Sequence, residues 1–160
     1  MTRSANEVSV LAAKAARGAG APPAQAAQFG AAAVAHLAAG GDLDVLDAAL
    51  AELPMGPIIT LPLAISGVAE QAKGGHAQGR IAPSLLARSY AASLPYHAVL
   101  DGEGMLVLDF DVPATRSAPI RFALSDAVYE QWSALAAAML VPESEASRLK
   151  GAGAGNSDND

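Results

Sequence analysis

Tyr96-His97-Ala98-Val99-Leu100-Asp101-Gly102-Glu103-Gly104-Met105-Leu106-Val107-Leu108-Asp109-Phe110-Asp111-Val112 holds two alternating runs on either side of a pair of glycines. Tyr96, Ala98 and Leu100 alternate with His97, Val99 and Asp101. Past the glycines, Leu106, Leu108, Phe110 and Val112 alternate with Val107, Asp109 and Asp111. Period-two alternation on both sides of a glycine-rich turn is the pattern of a half-buried β-hairpin. A three-residue loop Gly102–Gly104, with Gly104 left-handed, pairs Asp101 with Met105. Leu100 then faces Leu106, Ala98 faces Leu108 and Tyr96 faces Phe110, so the apolar residues share one face. The same register sets His97 opposite Asp109 on the other face.

Downstream, Ile120 to Leu124 reads as a third strand with Ile120, Phe122 and Leu124 inward and Arg121 outward, near Asp109 and Asp111. Ser125-Asp126 caps a helix to about Met139 with Val128, Trp132, Leu135 and Met139 as its stripe. Pro142 opens a last short helix, its Glu143 and Glu145 at the N-terminal end and Arg148 and Lys150 at the C-terminal end, as the helix dipole prefers.

Upstream the period is helical. Ser4-Ala5-Asn6-Glu7 has the capping-box pattern and starts a helix that Gly18 and Gly20 stop. Pro22-Pro23 opens a second helix ended by Gly40-Gly41. Its Ala27, Ala31, Ala35 and Ala39 form a smooth ridge that lets another helix approach closely, within the monomer or at a dimer seam. Asp42 caps a third helix through about Leu53. Pro54 to Pro62 reads as an extended or turning path, Ser66 to Lys73 as a short helix, and Pro83 to Ser93 as another. Gly74 to Arg80 reads as a flexible loop. It has the glycine spacing of a phosphate loop, but Arg80 and Ile81 stand where lysine and a hydroxyl residue are needed.

The expected architecture is one α+β domain over residues 1–150: an N-terminal helical layer, a three-stranded antiparallel sheet, and C-terminal helices over its apolar face. A glycine-rich acidic extended tail, 151–160, follows. The 160 residues can bury a single core. That core is built largely of alanine, since 52% of residues are hydrophobic but only 4% aromatic. A net charge of −6, without a basic cluster to neutralise phosphates, argues against nucleic acid or an anionic membrane as partner. The charge-free stretches between Arg17 and Asp42 and between Glu52 and Glu70 are broken by prolines, which argues against a membrane span. There is no cysteine, so disulfides, thiolate zinc sites and cysteine nucleophiles are excluded, and a reducing, cytoplasmic setting is expected. The opening Met1-Thr2-Arg3-Ser4 leads into a helix start and not into the apolar core of a signal peptide.

Both ends of the chain carry a motif. The opening has Asn6-Glu7-Val8 and then Lys14-Ala15-Ala16-Arg17-Gly18-Ala19-Gly20. The close has Glu145-Ala146-Ser147-Arg148-Leu149 and then Gly151-Ala152-Gly153-Ala154-Gly155-Asn156-Ser157-Asp158-Asn159-Asp160. Together they resemble domain-of-unknown-function family 3726, a group of bacterial proteins with no assigned activity. The resemblance implies no catalytic residues.

The candidate site follows from chemistry alone. His97 beside Asp109, with Asp111 and Arg121 close, has the histidine–carboxylate unit of general-base catalysis. The same residue types also make an ordinary solvated cross-strand pair. In the tail, Asp158 and Asp160 can hold a hard cation, with backbone amides from Gly151, Gly153 and Gly155 beside them. His36 reads as a hydrogen-bonded histidine at the core edge. Two functions remain open: a non-catalytic binding or assembly module working as a homo-oligomer or on a protein partner, and a small metal-assisted or acid/base enzyme using His97, Asp109 and the tail. The cofactor is left unknown.

Overall fold

A computed structural model describes residues 2–115 and 121–139. Its elements run β1 (Thr2–Ser4), α1 (Ala5–Gly18), α2 (Pro23–Ala38), α3 (Leu43–Ala51), α4 (Pro57–Ala69), β2 (His76–Arg80), α5 (Leu85–Ala92), β3 (Tyr96–Leu100), β4 (Met105–Pro113), β5 (Arg121–Ala123) and α6 (Asp126–Ala137). The fold is α+β. The expected helix from Pro142 and the tail lie outside the described residues, as does Ile120.

Local chemistry sets most helix ends. Ser4 Oγ accepts from Glu7 N–H at 3.2 Å while Glu7 Oε2 accepts from Ser4 N–H at 2.7 Å, so the capping box is complete. The hydrogen bond from Ser4 N–H holds the Glu7 carboxyl below its ordinary pKa. Ser84 and Ser125 cap α5 and α6 through the N–H groups of Ala87 and Val128. The stretch after Pro54 departs from its reading as extended chain. α4 starts at Pro57, a proline at the first helical turn, and continues through Pro62. Losing one backbone bond at Pro62 is offset because the same helix buries Ile58, Leu61, Ile65 and Val68.

Helix α1 is the hub. It packs on α2 and α6 and buries Val8, Ala12, Ala15 and Ala16. Small residues permit that closeness. A Cβ at Gly30 of α2 would lie 2.5 Å from the Ser9 carbonyl oxygen, and one at Gly18 would run into the Leu135 carbonyl of α6. The alanine ridge of α2 is not packed within the monomer: Ala27, Ala31 and Ala39 are exposed and Ala35 is half-buried. The buried face is Ala26, Phe29, Gly30, Ala32, Ala33 and His36, because Phe29 and Gly30 decide the rotation where the alanines are indifferent.

The three-stranded antiparallel sheet has the order β2-β4-β3. β3 and β4 pair as the hairpin predicts, with Leu100 opposite Leu106, Ala98 opposite Leu108 and His97 opposite Asp109. Gly104 is left-handed at φ +88°, and Asp101 Oδ1 accepts from the N–H groups of Glu103 and Met105. These bonds hold the Asp101 carboxyl below its ordinary pKa, Met105 first. At the far end the register shifts between Tyr96 and His97, yet Tyr96 still meets Phe110 with ring centroids 4.5 Å apart.

The third strand is β2, within the stretch read as a flexible loop. Lys73 and His76 exchange backbone hydrogen bonds of 2.8 and 3.2 Å around Gly74 and Gly75, both at positive φ. This tight turn feeds a strand, which leaves no phosphate loop there. The inward positions of β2 are Ala77 and Gly79, and a Cβ at Gly79 would come 2.8 Å from Val68 Cγ2 of α4. Helices α4 and α5 cover the inner sheet face, whereas α6 packs mainly on α1. β5 pairs with β1 in a separate two-stranded ribbon. No helix among the described residues is long and apolar enough to cross a membrane.

Candidate metal site on the outer sheet face

On the outer face of the sheet, Asp109 of the central strand is flanked on both sides. His76 of β2 and His97 of β3 are its direct partners in the two ladders. His76 Nε2 lies 3.3 Å from Asp109 Oδ2. Asp111, two residues on along β4, faces the same way, and one ligand atom from each of His76, Asp109 and Asp111 falls within 4.8 Å of the others.

Each of the three donors is oriented by its surroundings. His76 Nδ1–H donates to the Gly74 carbonyl at 2.9 Å. A carbonyl only accepts, so Nδ1 carries a proton, and Nε2 is the ring nitrogen that faces Asp109, donating to it when protonated. Asp109 Oδ1 accepts from Asp111 N–H at 3.1 Å, leaving Oδ2 for His76. The Asp111 carboxylate lies against Gly75, where an added Cβ would collide with it. Gly75 therefore shapes the turn through its positive φ and also makes room for an acidic side chain.

Electrostatics follow the geometry. The Gly74 carbonyl, then the charges of Asp109 and Asp111, raise the pKa of His76 above the ordinary histidine value. Without a metal, a proton at Nε2 is held more tightly than on a free imidazole because it faces Asp109. With a metal, the ion replaces that proton. Ligand atoms 2.0–2.2 Å from a zinc ion are separated by about 3.2–3.6 Å in a tetrahedron. The 3.3 Å between His76 and Asp109 already has that spacing.

The residues expected from sequence are only partly assembled here. Asp109 and Asp111 are in the cluster. His97 stands beside Asp109 in register, but its side chain makes no hydrogen bond among the described residues. Arg121 is not part of it: Nη2 donates to the Thr2 carbonyl at 3.2 Å and Nε to Thr2 Oγ1 at 3.5 Å, in the β1–β5 ribbon. Alternation identified its strand but could not say which edge that strand would join. Gly151, Gly153, Gly155, Asp158 and Asp160 lie outside the described residues. His76 was missed because its strand buries only alanine and glycine, giving no hydropathy alternation. The Gly74-Gly75 pair before an alternating His-Ala-Gln-Gly-Arg was the available signal.

The remaining histidine, His36 on α2, has both ring nitrogens occupied. His36 is 2% exposed, with Nε2–H donating to the Asp42 carbonyl and Nδ1 3.0 Å from Ser89 Oγ. It ties α2 to the start of α3 and to α5, a structural role. No protein-family model, curated protein or solved structure matches this chain.

Proposed function

We propose that this chain is a binding module whose ligand is a divalent metal ion of the zinc type, held on the outer sheet face by His76, Asp109 and Asp111. The observation that supports it best is the mutual approach of the three donors within 4.8 Å, with His76 and Asp109 each held by a hydrogen bond to the backbone. One imidazole with two carboxylates favours zinc-like ions over Mg²⁺ or Ca²⁺, which prefer all-oxygen sites. The likeness of the two chain ends to family 3726 contributes no site residue, so the reading does not depend on it. Calorimetric titration with Zn²⁺ tests it. One ion per chain is expected, with binding lost in Asp109→Asn and in His76→Ala. Unchanged binding in both variants would place any metal elsewhere.

A second reading, docking of a second copy on this face, is favoured by one further observation. Val99 and Val107 are direct cross-strand partners on the outer face and remain 48% and 40% exposed. Light scattering on wild type and Val107→Asp distinguishes it: a dimer that the substitution splits supports assembly, and a monomer at every concentration removes it.

A further inference from the structure

We infer that His97 supplies a fourth protein donor to the ion held by His76, Asp109 and Asp111, closing the site from the β3 side. The inference rests on the metal reading above and specifies its ligand set.

Three observations point to it. First, β4 is the middle strand, so Asp109 is directly opposite His76 on one side and His97 on the other. Side chains at directly opposed positions share a face, with Cβ atoms about 4.5–5.5 Å apart. The two imidazoles therefore flank one carboxylate in a row, and an ion over Asp109 lies between them. Second, the His97 ring is exposed and has no hydrogen bond or ion pair among the described residues that would hold it away. Rotation about its two side-chain torsions breaks no hydrogen bond or ion pair among the described residues. Third, the ladder is interrupted immediately beside it. Tyr96 pairs with Pro113 and the next residue, His97, pairs with Asp109, so Phe110, Asp111 and Val112 of β4 have no partner on β3. Irregularities of this kind re-aim side chains. Here the interruption frees Asp111 from a cross-strand neighbour and leaves its carboxylate beside Gly75, at the His76 end of the row.

Two imidazoles and two carboxylates complete a tetrahedral first shell for Zn²⁺, whose nitrogen ligands lie about 2.0–2.1 Å from the ion. With His97 in place, the site needs no water to finish its coordination. The hard cations lose further ground, because a second nitrogen donor does nothing for Mg²⁺ or Ca²⁺.

The test is a Zn²⁺ titration of wild type and His97→Ala by calorimetry, together with ¹⁵N imidazole spectra of the wild-type protein. Expected are a fall in zinc affinity of at least about tenfold in the variant and zinc-induced shifts of a ring nitrogen in both His76 and His97. Equal affinity in the variant, with His76 alone shifting, overturns the inference and leaves the three-donor site standing. Failure of the wild-type protein to bind zinc overturns the metal reading itself. Should His97→Ala fold poorly, the wild-type spectra decide alone.

Discussion

Gly30→Ala and Gly67→Ala are the same chemical change on two helices, and the structure assigns them opposite signs. Alanine replacing glycine inside a helix gains about 0.5–1 kcal/mol by restricting the unfolded chain and raising helix propensity. At Gly67 of α4 an added Cβ meets nothing within 4 Å, so that gain is retained. At Gly30 of α2 the Cβ would lie 2.5 Å from the Ser9 carbonyl oxygen and 3.1 Å from both Ser9 Oγ and Ala13 Cβ. The closest of these is roughly 0.9 Å inside the 3.4 Å at which ordinary contact begins. The obstructing atom belongs to the backbone of α1, which cannot yield by changing a rotamer. Nor can α1 retreat, because Gly18 on the same helix is pressed against the Leu135 carbonyl of α6. Over-packing of this kind costs about 1–3 kcal/mol, and the backbone obstacle puts Gly30 in the upper part of that range. After the propensity gain, Gly30→Ala should lose about 1–2 kcal/mol and Gly67→Ala should gain about 0.5–1 kcal/mol. For a domain of this size the first corresponds to a melting temperature lower by about 2–8 °C. Urea unfolding of both variants measures the difference, provided the denaturant slope is unchanged. A Gly30→Ala variant as stable as wild type would refute the close α1–α2 crossing.

Two further outcomes follow from exposure and charge. Ala31→Leu on the exposed ridge of α2 should stay within about 0.5 kcal/mol of wild type by the same assay; a large loss would show the ridge to be buried. Zinc affinity should rise with pH through the raised pKa of His76, since the ion must displace a proton that the Gly74 carbonyl and Asp109 favour. Without metal the sign reverses: the protonated His76 stabilises the fold fully below the ordinary histidine pKa, and that contribution is lost as pH rises through the raised value. Calorimetry across about pH 5.5 to 8 reads the first effect, and a pH-independent affinity would remove His76 from the ligand set.

Features that depend only on neighbours along the chain were legible before any tertiary contact was known. The Ser4–Glu7 capping box, the left-handed Gly104 and the register that sets His97 against Asp109 each depend on residues a few positions apart, so spacing and residue type were enough. The face of α2 was not legible, because a helix with small apolar residues nearly all round it has no unique stripe, and only the crossing with α1 selects Gly30 over Ala31. Nor was the third strand. The inward side chains of β2 are small because Val68 of α4 needs the space, so the strand carries no hydrophobic alternation of its own. The residues from Arg121 do alternate, yet their edge pairs with Thr2–Ser4. Two of the three residues of the candidate site, Asp109 and Asp111, were readable from one strand. His76 joins them only because the sheet brings a distant segment alongside, and backbone hydrogen bonds that select a partner strand are the same for every residue type.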